Sequence, residues 1–185
     1  LVGSEMCIRD SFMTHKGIDP GAIARALLAD LRTHSLAEGG STITQQLAKN
    51  AFLSQERTIT RKIKEAFIAK QLEERYTKDE ILDMYLNRIY FGQGTYGIES
   101  ASLYYFGKHV QDIDLAEAAT LAAIPKSPNY YNPFENPKDS KARQEVVLDQ
   151  MAKYGYITEA QAAKAKAEKL QLNNHKNQQK DNLSY

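Results

Sequence analysis

Apolar residues along this chain recur every three or four positions between breaks of Gly, Pro and Asn, a spacing that predicts a succession of helices. Asp19-Pro20 is a helix start, an N-cap followed by proline at the first helical position, and Ala22 to Leu36 carries apolar residues at helical spacing. Gly39-Gly40 breaks that helix. A second begins near Thr42 and runs to about Phe52, and Ser54 to Arg57 reads as a short connection. From Thr58 to Tyr76, the residues Ile59, Ile63, Ala66, Phe67 and the aliphatic stem of Lys70 share one face. Arg61, Lys64, Glu65 and Ile68 lie towards another, so this is an amphipathic helix with a charged functional edge.

Thr77 followed by Glu80 is a capping-box signature for a helix over Lys78 to Asn87. The aromatic, glycine-rich stretch Tyr90 to Gly97 favours a loop, and Gly97 to Tyr105 reads as helix. Asp114 with Glu117 caps an Ala-rich helix, Leu115 to Ile124, which Pro125 stops. After an irregular Pro, Asn and Tyr loop to Pro137, Asn136-Pro137 starts a helix to about Tyr154, and Thr158 with Gln161 opens a last one to about Leu170. The tail Asn173 to Tyr185 has the composition of a disordered segment. No alternating strand pattern and no internal repeat is visible, so the expected class is all-α.

With 185 residues and 42% hydrophobic content, the chain is long enough for one domain with a core. Its net charge of +1, from 24 basic and 23 acidic residues, gives no global field pointing to nucleic acid. Any anion site must be a local cluster. The single cysteine, Cys7, excludes a disulfide framework within the chain. No apolar run approaches the ~20 residues needed to span a bilayer.

Chemistry concentrates in the run Gly39-Gly40-Ser41-Thr42-Ile43-Thr44-Gln45-Gln46-Leu47-Ala48-Lys49-Asn50. Two glycines permit close approach of a ligand, and the hydroxyls and amides that follow offer donors and acceptors to sugar hydroxyls or phosphate oxygens. Lys49 supplies a point charge of the kind that binds phosphate. An N-cap with a solvated helix face is the commoner fate of residues such as Ser41, Thr42, Gln45 and Gln46, but the glycines ahead of them favour ligand contact. Lys49, otherwise a surface lysine, lies one turn beyond Gln45 and Gln46 on a compatible face, which favours phosphate.

Taken with Arg61-Lys62-Ile63-Lys64-Glu65, this run resembles the second and third signature motifs of the peptidoglycan glycosyltransferases, glycosyltransferase family 51. These are the lysozyme-like multi-helix domains, with Gly-rich connecting loops, of class A penicillin-binding proteins and monofunctional transglycosylases. The likeness continues through Lys78 to Asn87 and Tyr90 to Ile98, reaches Arg143 to Met151, and covers about Phe12 to about Leu170. It implies a domain over residues 12–170, truncated at its N-terminus, and a polar linker or tail over 171–185. Residues 1–11 resemble a translated sequencing adapter, an artefact to be set aside.

The resemblance implies polymerisation of lipid II into glycan strands with release of undecaprenyl diphosphate, an inverting hexosyl transfer. That reaction needs a base for the acceptor hydroxyl and positive charge at the departing diphosphate. The family's base is a glutamate in a Glu-Asp-x-x-Phe-x-x-His-x-Gly motif, whose Phe, His and Gly align with Phe12, His15 and Gly17. The base position holds Ile8 and its neighbour Arg9, so the chain as it stands is expected to be inactive; Glu5 and Asp10 are out of register. Glu65 matches the second catalytic glutamate, and Lys49, Arg57, Arg61 and Lys62 are the expected diphosphate cations, beside substrate contacts from Ser41, Thr42, Gln45 and Gln46. A plain surface ion pair is the alternative for Glu65.

Tyr85, Leu86 and Asn87 match a motif read as structural core, with Asn87 buried and bonded. Arg143 matches the first arginine of a paired, fold-stabilising motif whose second position is Gln144 here, which puts local stability in question. His15 reads as a structural hydrogen-bonding residue, and His34, His109 and His175 as surface. No metal site and no required cofactor is expected, with divalent-cation stimulation left open. The implied partners are lipid II, the growing lipid-linked glycan and a membrane surface, with no nucleic acid. The implied parent is a class A penicillin-binding protein with a C-terminal transpeptidase domain, anchored at the bacterial inner membrane and facing the periplasm. Two other functions stay open: a non-catalytic module binding lipid diphosphate or glycan, and a lysozyme-like hydrolase, which needs no row of cations.

Overall fold

The computed structural model describes residues 12–13, 15–19, 21, 41–53 and 58–173. The helix expected over Ala22 to Leu36, the Gly39-Gly40 break, the Ser54 to Arg57 connection, Ile8 and most of the polar tail lie outside them. Among the described residues are seven α-helices: α1 (Ile43–Phe52), α2 (Ile59–Arg75), α3 (Lys78–Leu86), α4 (Ile98–Phe106), α5 (Leu115–Ala123), α6 (Pro137–Lys153) and α7 (Glu159–Ala167). Short 3-10 turns occupy Val110–Asp112 and Ile124–Lys126, and a Tyr90–Tyr96 bridge is the one β pairing among the described residues. The all-α class stands.

Capping fixes most helix starts. Thr42, Thr77, Asp114 and Thr158 each accept from the backbone N–H three residues on, and Gln45, Glu80, Glu117 and Gln161 return the bond to the cap residue's N–H. Pro125 does not stand outside a finished helix but within the turn Ile124–Lys126, where the loss of one N–H is tolerated. The last helix ends at Ala167, because Glu168 is already extended.

The chain forms two compact units, Leu1–Ile89 and Tyr90–Tyr185. In the first, α1 packs on α2 and α3, and Ile43, Leu47, Ala69, Leu72, Ile81 and Tyr85 are among its buried residues. Here the sequence reading of α2 is corrected. Ile63 and Phe67, assigned to its apolar face, are 66% and 63% exposed, whereas Glu65, Ala69 and Leu72 turn inward. Of the charged edge, Glu65 turns inward while Lys64 stays exposed, because Glu65 finds cations on its own helix and Ala69 leaves room for another segment. Gly17, at φ +85°, runs so close that a Cβ there would lie 3.0 Å from the Ala69 carbonyl. Asn87 is corrected too: it is exposed, and its amide bonds the carbonyl and carboxylate of Asp83 at 3.0 and 3.1 Å. At the C-terminus of α3 that side chain serves its own helix end rather than a core.

In the second unit, α5 packs on α6 and α6 on α7 around Ala116, Ala119, Ala123, Val147, Leu148, Ala162 and Ala165. Alanines at helical spacing let the backbones approach closely. Gln144 is fully buried and satisfied: its amide donates to the Ala116 carbonyl (2.8 Å) and Thr120 Oγ1 (3.0 Å) and accepts from Lys141 Nζ (2.7 Å). A glutamine in place of the family's second arginine is therefore no defect. His109 lies at the surface, as its sequence context suggests, and its Nδ1 meets Glu99 at 2.6 Å.

Candidate functional site

The second and third motifs meet where the entry to α1 faces the first turns of α2. Thr58 caps α2 through the Arg61 N–H (3.1 Å), so the next turn presents Arg61, Lys62 and Glu65 at i, i+1 and i+4. Glu65 is buried, and its two oxygens are divided between cations: Arg61 Nη1 on Oε1 and Lys62 Nζ on Oε2 at 2.9 Å. Lys62 Nζ also donates to Ser41 Oγ at 2.6 Å, which joins the two motifs physically. Its side chain remains half exposed. The arrangement is a buried carboxylate set between two cations, one of which still reaches solvent and so can meet an incoming anion.

The other predicted contacts are distributed differently. Thr42 and Gln45 are buried and spend their oxygens on the α1 cap, Gln45 N to Thr42 Oγ1 (3.1 Å) and Thr42 N to Gln45 Oε1 (3.0 Å). Thr42 Oγ1 itself donates to the Gly17 carbonyl at 2.7 Å. Gln46 donates weakly to the Ser41 carbonyl (3.4 Å) and accepts from the Tyr85 hydroxyl (3.3 Å). Lys49 stands half-buried in the last turn of α1, where its carbonyl accepts from the Leu53 N–H (3.3 Å) and its side chain makes no hydrogen bond among the described residues, and Arg57 lies outside them. Two shallow cavities of the first unit, about 320 Å³ beside Phe52, Ile68, Leu72 and Arg75 and about 450 Å³ beside Tyr76, Asp79 and Asp83, hold none of these side chains.

A second polar cluster escaped the sequence reading. Glu73 on α2 accepts from Thr44 Oγ1 on α1 (2.6 Å) and pairs with Lys78 at the start of α3 (2.6 Å). Lys78 Nζ also donates to the His15 carbonyl (2.7 Å) and sits 4.6 Å over the Phe12 ring. His15 Nδ1 accepts from the Gly17 N–H (3.1 Å), which leaves the imidazole proton on Nε2. Burial first, and the nearby Lys78 charge second, lower the His15 pKa, so the ring is neutral. Thr44 lies within the second motif and Lys78 opens the Lys78 to Asn87 segment, but no spacing links them with Glu73, and only the fold shows that they converge.

No group of three or more His, Cys, Asp or Glu suited to a metal occurs among the described residues. Nor, among them, is any helix long and apolar enough to cross a membrane.

The family model described as Transglycosylase matches residues 9–152. The chain is 52% identical to penicillin-binding protein 1A of Aquifex aeolicus, over 84% of this chain and 21% of that protein. It is 48% identical to penicillin-binding protein 1F of Bacillus subtilis (87% and 22%) and 46% identical to penicillin-binding protein 1A of Escherichia coli (95% and 21%). The crystal structure of penicillin-binding protein 1A from Haemophilus influenzae superposes with a TM-score of 0.50 at 30% identity, over 71% of this chain and 16% of that one. The chain belongs to the transglycosylase family, as a glycosyltransferase domain of the class A penicillin-binding protein kind. It spans about a fifth of the length of the curated relatives it matches.

Proposed function

We propose that this chain is the lipid II-polymerising part of a class A penicillin-binding protein, working at the periplasmic face of a bacterial inner membrane and releasing undecaprenyl diphosphate. The observation that carries the reading is the Ser41, Lys62, Glu65 and Arg61 constellation. A lone surface ion pair would leave its carboxylate in solvent. Glu65 is instead buried, and the cation it holds reaches across to the hydroxyl of a second motif. Two cations set around one carboxylate suit a leaving diphosphate, which can take over part of their charge as it develops. Lys49 and Arg57 are assigned to the same anion, and Ser41, Thr42, Gln45 and Gln46 to shaping the pocket.

The base position, Ile8, favours a second reading in which the chain binds the lipid diphosphate without turning it over. A polymerisation assay separates the two. The unaltered chain forms no glycan under either reading. Restored chain formation in the double change Ile8→Glu with Arg9→Asp supports the first, since general-base catalysis contributes typically ~100- to 10,000-fold, and binding without polymerisation in that variant supports the second. Arg61→Ala and Lys49→Ala each weaken binding of a phosphoglycolipid inhibitor such as moenomycin by about 1 to 3 kcal/mol in calorimetric titration. Unchanged affinity in both variants overturns the assignment.

A further inference from the structure

The first-motif residues Phe12, His15 and Gly17 are held between Thr42 at the cap of α1, the backbone of α2 and Lys78 of α3. Lys78 meets the Phe12 ring and the His15 carbonyl, Thr42 meets the Gly17 carbonyl, and the Ala69 backbone bounds Gly17 from below. We propose that Lys78, braced by Glu73 and Thr44, is a positioning residue for glycosyl transfer, setting the backbone of the first motif against the helices that carry Glu65. The inference rests on the function proposed above.

Its physical basis is the bonding of the ammonium. A lysine has three N–H donors, and here a carboxylate oxygen, a main-chain carbonyl and a ring face lie around them. Two of these partners belong to the first motif, and the third is Glu73, whose other oxygen is held by Thr44. The pair is largely buried, with 19% of the Lys78 and 7% of the Glu73 side chain exposed, so solvent cannot substitute for either partner. At His15 and Gly17 the grip falls on carbonyls rather than side chains. It therefore fixes the path of the chain at His15 to Gly17, the part of the first motif that follows its base position in sequence. Because a misplacement near 1 Å costs on the order of 100-fold in rate, such a clamp acts on turnover rather than on diphosphate affinity.

The test uses the chain carrying Ile8→Glu and Arg9→Asp. Lys78→Met is expected to lower kcat at least tenfold while KM and moenomycin affinity stay within twofold, and Lys78→Arg to recover a large part of the loss. Thr44→Val and Glu73→Gln, which loosen the brace without removing the ammonium, are expected to lower kcat severalfold with the same split. They carry the test if Lys78→Met does not fold. Unchanged kcat in these variants overturns the proposal, as does a parallel fall of kcat, affinity and melting temperature that Lys78→Arg does not relieve. If the parent polymerises nothing, the functional reading fails instead, and the clamp is judged by exchange of the Gly17 amide and by NMR titration of His15. Loss of Lys78 should speed the first and raise the midpoint of the second; no change in either refutes the clamp.

Discussion

The two units solve opposite problems with the same kind of helix. In the second, α5, α6 and α7 bury a seam of alanine, valine and leucine, and the large side chains left outside include Tyr96, Tyr130, Tyr154 and Tyr156, whose hydroxyls suit water. In the first, α2 buries Glu65 and nearly buries Glu73, and it exposes the hydrocarbon of Ile63 and Phe67. Hydrophobic burial alone would have turned α2 the other way. What turns it is the demand of two carboxylates for partners on α1, on α3 and along α2 itself, since a buried charge without a partner costs far more than an exposed phenylalanine. Charge also serves the second unit, where Glu117 is buried on Lys108, but in the first it sets which face of a helix turns inward.

The largest contrast is expected in paired truncations. Leu148→Ala, at a fully buried site, should cost about 2 to 5 kcal/mol in urea unfolding, and Phe67→Ala no more than ~0.5 kcal/mol. A large cost at Phe67 would mean that its face is covered and would break the comparison. Next come the glycines. Gly17 and Gly155 both have positive φ, but a Cβ at Gly155 meets open space whereas one at Gly17 strikes the α2 backbone. Gly155→Ala should therefore cost about 1 kcal/mol, and Gly17→Ala about 1 to 3 kcal/mol beyond that. Equal melting shifts would show that α2 yields easily. Smaller again is Gln144→Ala, which removes two buried hydrogen bonds while the Ala116 carbonyl keeps the Thr120 hydroxyl, and should cost about 1 to 3 kcal/mol by denaturant titration. Gln144→Arg should also destabilise, because Ala116 and Thr120 offer no charge to receive it.

The same contrast decides what could be read in advance. Helix starts were legible at Thr42, Thr77, Asp114 and Thr158, because a capping box is a local hydrogen-bond pattern that needs no tertiary context. The seam on α5 was legible as an alanine-rich helix. The inward face of α2 was not, since periodicity counts apolar side chains and is blind to where an acid finds its partners. In the site, the pairing of Arg61, Lys62 and Glu65 followed from i, i+3 and i+4 spacing, but the reach of Lys62 to Ser41, 21 residues away, did not. Likewise Thr44, Glu73 and Lys78 belong to three helices, and no spacing rule links them.

The smallest effect is also the one that reads both units in a single titration. His15 has its pKa lowered by burial and by Lys78, with Glu73 and Asp19 opposing, whereas His109 has its pKa raised by its hydrogen bond to Glu99 and by the charges of Glu99 and Asp112. In the unfolded chain both titrate near 6.5. Below that pH the unfolded chain binds a proton at residue 15 that the folded chain refuses, so the His15 contribution is complete above about 6.5 and is lost as pH falls towards the lowered folded value. For His109 the folded chain binds the proton more tightly. Its contribution is complete below about 6.5 and is lost as pH rises through the raised folded value. Denaturant midpoints measured from pH 5 to 8 should accordingly flatten on the acid side in His15→Gln and on the alkaline side in His109→Gln. Imidazole resonances should give midpoints on opposite sides of 6.5. If both titrate on the same side, the first unit does not hold its histidine beside a buried cation, and the distinction between a unit whose helix face is set by charge and one whose seam is set by packing loses its electrostatic half.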